Sequence, residues 1–243
     1  PPADPSGAPP RGRAPGDGFV APDADGLDLL RSGIELAELV NAVSPTFAAD
    51  TRTRAFGMGL GRVLRAKGDR FAGILNGIDP VLWDPATDPV IATRYSRDGL
   101  AGKAACRADL LERLGFDAAD PAPVLGLIGR LDPQKGFDIL AAAAPGLLER
   151  GARLVVQGSG DPAHAAPFRA LAAAEPERVA LVERFDREMA RRIYAGADLF
   201  LMPSRFEPCG QGQMIAQRYG TPPIVHRTGG LADTVIDEHN HPG

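Results

Sequence analysis

Residues 123–160, PVLGLIGRLDPQKGFDILAAAAPGLLERGARLVVQGSG, hold the pattern that decides the fold. VLGLIGR is apolar along nearly its whole length and reads as a short strand. A helix-like stretch follows from Gly136 to Glu149, and ARLVVQG is a second strand. Working toward the C-terminus, the alternation continues. A helix runs from about Pro162 to Ala174, RVALVERF is a third strand, and REMARRIYAGA is a helix. DLFLMP is a fourth strand, with a helix over Gln211–Tyr219; PPIVH is a fifth, and GLADTVID opens a last helix. Strands and helices alternating across short loops predict a parallel sheet wrapped by right-handed crossovers. Strands apolar throughout, rather than on alternate residues, suit a sheet covered on both faces. The fold class is therefore α/β, with a Rossmann-like parallel sheet.

Working toward the N-terminus, the texture changes. Residues 1–26 are dense in Pro, Gly and Asp with almost no apolar periodicity, which reads as a disordered or aberrant tail. LDLLRSGIELAELVNAVS, from Leu27, has helical spacing running into a short strand that Pro45 ends. The stretch after Ser44 reads as loop-rich, with Gly57, Gly59 and Gly61 close to Arg62 and Arg65. FAGIL then meets the turn signal Asn76-Gly77.

Composition excludes several classes. The chain has 243 residues, 44% hydrophobic and 24% charged, with a formal net charge of −4. Such a balance provides no electrostatic footprint for nucleic acid or an anionic membrane, so anions must be held locally. Cys106 and Cys209 lie far apart without metal spacing, which fits a reducing cytoplasm rather than a disulfide scaffold. No signal-peptide pattern or membrane-length apolar run is present. Lys67, Lys103 and Lys135 are the only lysines. There is no GxxxxGK[ST] loop, no histidine or CxxC cluster for a metal, and no nucleophile elbow.

Ligands in such a sheet bind beyond the carboxyl ends of the strands. The residues there are Gly129–Gly136 after the first strand and Gly158–Asp161 after the second. Pro203–Gly210 follow the fourth, and Arg227–Gly230 the fifth. Glycine-rich turns leading into helices expose backbone N–H groups that suit phosphate oxygens. Arg130 and Lys135, five residues apart, can neutralise a diphosphate as planar fork and point charge. Each feature alone has a plain structural explanation: a tight turn, a solvated Arg–Lys surface, a helix cap at Glu207, and core positions for Phe185 and Tyr194. Their joint appearance on one sheet edge is what points to a site.

GILNGIDPVLWDPATDP, IGRLDPQKGFDIL, RIYAGADLFLMPSRFEPCG and RYGTPPIVHRTGGLADTV resemble the signature segments of bacterial glycogen synthases and plant starch synthases. That group is glycosyltransferase family 5, with the two-domain GT-B fold. The resemblance is collinear from about Leu27 to Asp237. It implies a remnant of the N-terminal domain and hinge over 27–78, and a C-terminal nucleotide-sugar-binding domain over 79–243. It also implies glucose transfer from ADP-glucose to the non-reducing end of an α-1,4-glucan with retention, and no metal or cofactor, ADP-glucose being the donor substrate. By the same resemblance, Arg130 and Lys135 hold the diphosphate and Glu207 lies beside the transferred glucose. Gly210, Gln211 and Gly212 present helix-start amides to the phosphates. Thr228, Gly229 and Gly230 close around the distal phosphate. Phe185 stacks on adenine, Asn76 contacts sugar, and Cys209 packs.

Departures from the family pattern bear on these expectations. Nothing resembles the family's Lys-x-Gly-Gly-Leu loop, so the isolated chain is expected to bind nucleotide weakly and to catalyse little. Gln211 stands for a usual leucine, Ile215 for a frequent tyrosine, and His226 for a usual arginine. Two alternatives remain open. One is a GT-B enzyme of glycosyltransferase family 4, whose Glu-x7-Glu pattern Ile215 breaks. The other is a non-catalytic nucleotide-binding remnant.

Overall fold

The computed structural model describes residues 28–237. The Pro/Gly/Asp-rich stretch 1–26, Leu27 and the terminal EHNHPG lie outside the described residues. The chain divides into two compact units between Ile74 and Leu75.

In the first unit, helix α1 (Leu29–Leu36) is capped by Asp28, whose carboxylate accepts the Arg31 N–H at 2.8 Å. Its C-terminal carbonyls are met by Lys67, whose Nζ donates to Glu35 O at 2.9 Å and Ala37 O at 2.6 Å. Strand β1 (Val40–Ala42) follows. Pro45 does not lead into a loop, as the sequence suggests: it occupies the first turn of α2 (Pro45–Thr51), with Ser44 Oγ accepting the Phe47 N–H at 2.9 Å. Proline's missing N–H costs nothing at that position, so Ser-Pro starts a helix here. A second helix, α3 (Gly61–Ala66), also lies in the stretch read as loop. Strand β2 (Phe71–Gly73) pairs in parallel with β1, Val40 opposite Phe71. Ala48, Leu60, Leu64 and Phe71 form the small core.

The second unit opens with segment 75–100, followed by α4 (Ala101–Arg113), a helix the sequence reading leaves unassigned. Then come β3 (Val124–Leu131), α5 (Phe137–Glu149), β4 (Arg153–Gly160), α6 (Pro162–Ala174) and β5 (Val179–Val182). The chain continues through α7 (Arg187–Gly196), β6 (Leu199–Met202), α8 (Gly212–Arg218), β7 (Pro223–Val225) and α9 (Gly229–Thr234). All five strands are parallel, in the order β5-β4-β3-β6-β7. Both faces are covered along β3 and β4, which is why these strands are apolar without alternation. Leu125, Leu127, Leu154 and Val156 pack on one side against Phe137, Leu140 and Phe168 of α5 and α6. Val124 and Val155 pack on the other against Leu110 and Leu111 of α4 and Ile193 of α7. α4 escapes a periodicity reading because its buried set is only Cys106, Leu110 and Leu111. No described helix is long and apolar enough to cross a membrane.

Segment 75–100 belongs to the second unit. Ile78 and Trp83 pack on the core of Tyr194, Phe200 and Tyr219. Asp88, 3% exposed, accepts the Tyr219 hydroxyl and pairs with Arg191 at 2.9 Å. Lys103 is fixed nearby, its Nζ donating to Ala195 O at 3.0 Å and Thr221 Oγ1 at 2.6 Å. Burial pulls the Lys103 ammonium down to about 8, opposed in part by the Asp198 charge. The folded chain then releases this proton at lower pH than the unfolded chain. The Lys103 contribution therefore makes stability rise as pH increases from about 8 toward the ordinary lysine value. Burial raises the Tyr95, Tyr194 and Tyr219 hydroxyls, so above about pH 10 their contribution runs the other way. Urea titrations at pH 7.5 and 9 should show this gain in the native chain, and Lys103→Met should abolish it.

Candidate functional site

Strand order reverses at β3. The chain steps outward through β4 and β5, then returns to place β6 on the other side of β3. The crevice beyond the carboxyl ends of β3 and β6 is thus the switch point where doubly wound sheets take ligands. Two turns meet there.

The first turn, after β3, begins with Asp132, whose carboxylate accepts the Lys135 N–H at 3.1 Å. Pro133–Lys135 form one 3-10 turn, and Gly136 adopts φ 70° before α5 starts. A Cβ on Gly136 would collide with the Pro203 carbonyl of the second turn, so this close approach needs glycine in conformation and in volume. The second turn, after β6, is laid against the first by main-chain and side-chain bonds. Arg205 N donates to Gln134 O at 2.8 Å, and Gln134 Nε2 donates to Phe206 O at 3.2 Å. The Arg205 guanidinium reaches Pro133 O at 3.0 Å and grips both Asp138 carboxylate oxygens at 2.7 and 2.5 Å. That grip holds the Asp138 carboxyl below the usual carboxylate range.

The consequence is an ion pair between residues 72 apart in sequence. Lys135 Nζ lies 2.5 Å from Glu207 Oε2, whose side chain is 6% exposed. Ser204 Oγ donates to the same oxygen at 3.1 Å, and Ser204 O meets His226 Nδ1 at 2.9 Å. Glu207 O in turn accepts the Gly230 N–H at 2.9 Å, which brings the Thr228–Gly230 turn to the pair. A Cβ on Gly230 would overlap Cys209 Cα, another close backbone approach. Gln213, fully buried, donates to Cys209 O at 3.0 Å and Thr234 Oγ1 at 2.9 Å, fastening α9 to this turn.

Lys135, Glu207, Cys209, Gly210 and Thr228–Gly230 are thereby gathered into one cluster. Cys209 is buried, 3% exposed, among these backbones. Arg130 stands at its rim: its guanidinium faces solvent, 3.3 Å from Asp132 Oδ2 and 3.4 Å from Gln134 Oε1. Gly210 has φ 74° and precedes the helix, so of the three residues Gly210–Gly212 only Gly212 belongs to α8. Gln211 Nε2 donates to Gly77 O at 3.1 Å, which places exposed Asn76 beside this turn. Phe185 lies apart from the cluster, beyond edge strand β5. The default core position fails there, because the ring is 76% exposed with the Arg187 guanidinium 5.7 Å from its centre. Tyr194 does lie in the core.

Sequence reasoning assigned no role to Asp132, Gln134, Ser204, Arg205 or Gln213. Asp132-Pro133 carries a readable cap signature; Ser204 reaches Glu207 three residues on, while Gln134, Arg205 and Gln213 have partners in distant segments. An apolar groove of about 690 Å³, lined by Ile139, Leu199, Leu201 and Ile224 among others, lies along the sheet face beside α5. Its polar lining comes from Arg150, Arg205 and His226.

A doubly wound parallel sheet, with a Lys–Glu pair and glycine turns at the switch point, is the architecture of a ligand-binding α/β domain of the kind found in glycosyltransferases. Residues 122–242 match the family model described as glycosyl transferases group 1. The chain is 49% identical over 213 residues to a glycogen synthase of Dechloromonas aromatica, covering 88% of this chain and 44% of that protein. A glycogen synthase of Paracidovorax citrulli is 47% identical over 217 residues, covering 89% and 43%. Among solved structures, the catalytic domain of starch synthase IV from Arabidopsis thaliana, bound to ADP and acarbose, superimposes with a TM-score of 0.83. It is 39% identical and covers 87% of this chain and 44% of that one. The chain belongs to the glycogen and starch synthase family, and corresponds to its C-terminal GT-B domain. It spans less than half the length of the curated relatives it matches.

Proposed function

We propose that this chain forms the donor side of a retaining glucosyltransferase that moves glucose from ADP-glucose to the non-reducing end of an α-1,4-glucan. The observation that carries this reading is the Lys135–Glu207 pair at the switch point, a cation and a buried carboxylate held by two separate strand-end turns. The ADP in the starch synthase IV structure supports an adenine nucleotide.

The charge problem of the reaction explains the residue types. Breaking the glucosyl–phosphate bond builds negative charge on the diphosphate and positive character on the anomeric carbon. Lys135 and Arg130 offset the first, with the N–H groups of Gly210–Gly212 and of Thr228 and Gly229. Glu207, released from Lys135 when a diphosphate takes over the ammonium, accepts hydroxyls of the glucose. The exposed Phe185 ring offers a flat apolar face to adenine, Asn76 approaches the sugar, and Cys209 fixes the backbone by packing.

Calorimetric titration of the chain with ADP, UDP and GDP tests the donor assignment. ADP should bind most tightly. Equal or tighter binding of UDP would remove the adenine assignment, and no binding of any nucleotide to the folded chain would remove the nucleotide site.

A further inference from the structure

We infer that Arg205 is a positioning residue: its guanidinium, clamped on Asp138 and Pro133, sets the register in which the two strand-end turns lie and so holds Lys135 against Glu207. The chain alternates sharply through the second turn. Ser204 and Glu207 point inward, 1% and 5% exposed, while Arg205 points outward, its side chain 42% exposed. An outward arginine between two inward site residues has no direct access to a ligand between Lys135 and Glu207. What it touches is the first turn at Gln134 O, through its own N–H, and at Pro133 O, through Nη1, and the start of α5 at both oxygens of Asp138, through a two-pronged grip. These contacts bracket Lys135 on both sides in sequence, so the Lys135 backbone cannot shift relative to the second turn without breaking them.

Geometry makes the arginine's shape matter. A guanidinium offers parallel N–H groups that fix two planes against each other, whereas an ammonium is a point charge that tolerates rotation. Half-exposed ion pairs contribute little to global stability, so a clamp of this kind is expected to serve the site more than the fold. His226, on the far side of Ser204 O, supports the second turn from behind but does not reach the first.

The chain's lysine content gives a direct test without any ligand. Lys67, Lys103 and Lys135 are its only lysines, and Lys67 and Lys103 are fixed on backbone carbonyls elsewhere in the chain. Limited acetylation of the full chain, read by peptide mass spectrometry, reports Lys135 with the other two as internal references for folding. Arg205→Ala and Asp138→Ala should each raise Lys135 labelling about two- to fivefold, the upper part of the range a broken, partly exposed ion pair spans. Lys103 labelling should not change. Glu207→Gln should raise it similarly, and the charge-exchanged double variant Arg205→Asp with Asp138→Arg should return it toward the native level.

Unchanged Lys135 labelling in both single variants would overturn the clamp, as would no response to Glu207→Gln, since no pair would then exist to be held. If Arg205→Ala also exposes Lys103, the double variant decides. Protection of both lysines supports the clamp; protection of Lys103 alone overturns it. That the clamp serves glucosyl transfer rests on the function proposed above. The labelling needs no nucleotide, so the clamp can fail while ADP still binds, and ADP binding can fail while the clamp stands. Where both hold, Arg205→Ala should weaken ADP binding, and the double variant should restore it.

Discussion

Lys135→Ala, in an enzyme of the relatives' full length that carries this chain, should lower turnover with ADP-glucose by about 10²–10³, the effect of removing one preorganised donor from developing negative charge (about 2.7–4 kcal/mol). Little compensation is available, because Arg130 is turned to the rim with Asp132 and Gln134. The substitution also leaves the buried Glu207 carboxylate with only the Ser204 hydroxyl at Oε2, so some stability is lost as well. Lys135→Ala combined with Glu207→Gln separates the two effects. Thermal stability should recover while turnover stays low. Native turnover in Lys135→Ala would refute the diphosphate assignment.

Gly136→Ala should destabilise the chain by about 2–5 kcal/mol, read as a lowered midpoint in urea. The left-handed conformation at φ 70° costs a Cβ-bearing residue about 1–2 kcal/mol. Overpacking adds about 1–3 kcal/mol, because the new methyl meets the Pro203 carbonyl, a backbone atom that cannot turn aside. The strain falls between the two turns that present Lys135 and Glu207, so ADP affinity should fall even where the variant remains folded. A variant with native midpoint and native affinity would show that the turns do not approach as described.

Much of the fold was legible in the sequence because its signals are local. Strands β3 and β4 are apolar without alternation since both faces are covered, while β6 and β7 turn one apolar face to the groove beside α5; five helices follow strands β3 to β7 where helical spacing says they should. Two failures have definite physical causes. Ser44-Pro45 was read as a stop, although a capping serine before proline is also how a helix begins. In α4, AGKAACRADLLER carries only three buried residues, too narrow a stripe to stand out. The location of the site was legible from the strand-end rule, and its glycines and charged residues from their placement there. Its internal wiring was not. Arg205 meets Asp138 across 67 residues, and Lys135 meets Glu207 across 72; no spacing or periodicity encodes such pairings. Gln213, fully buried yet polar, has the same cause: its partners are the Cys209 carbonyl, one turn back, and Thr234 on a different helix.

The return of the chain from β5 to β6 also couples occupancy to folding. β3 and its turn are complete with β4 beside them, yet the opposing turn arrives only when β6 docks on the far edge of β3. Any anion that bridges the two turns binds the docked form alone. It therefore fastens β6 in place by mass action, adding RT ln(1 + [L]/Kd) to the free energy of opening that edge. With the proposed nucleotide as that anion, ligand binding and the opening of the sheet's second half form a single linked equilibrium, and amide exchange in β6 and β7 should slow when ligand is present.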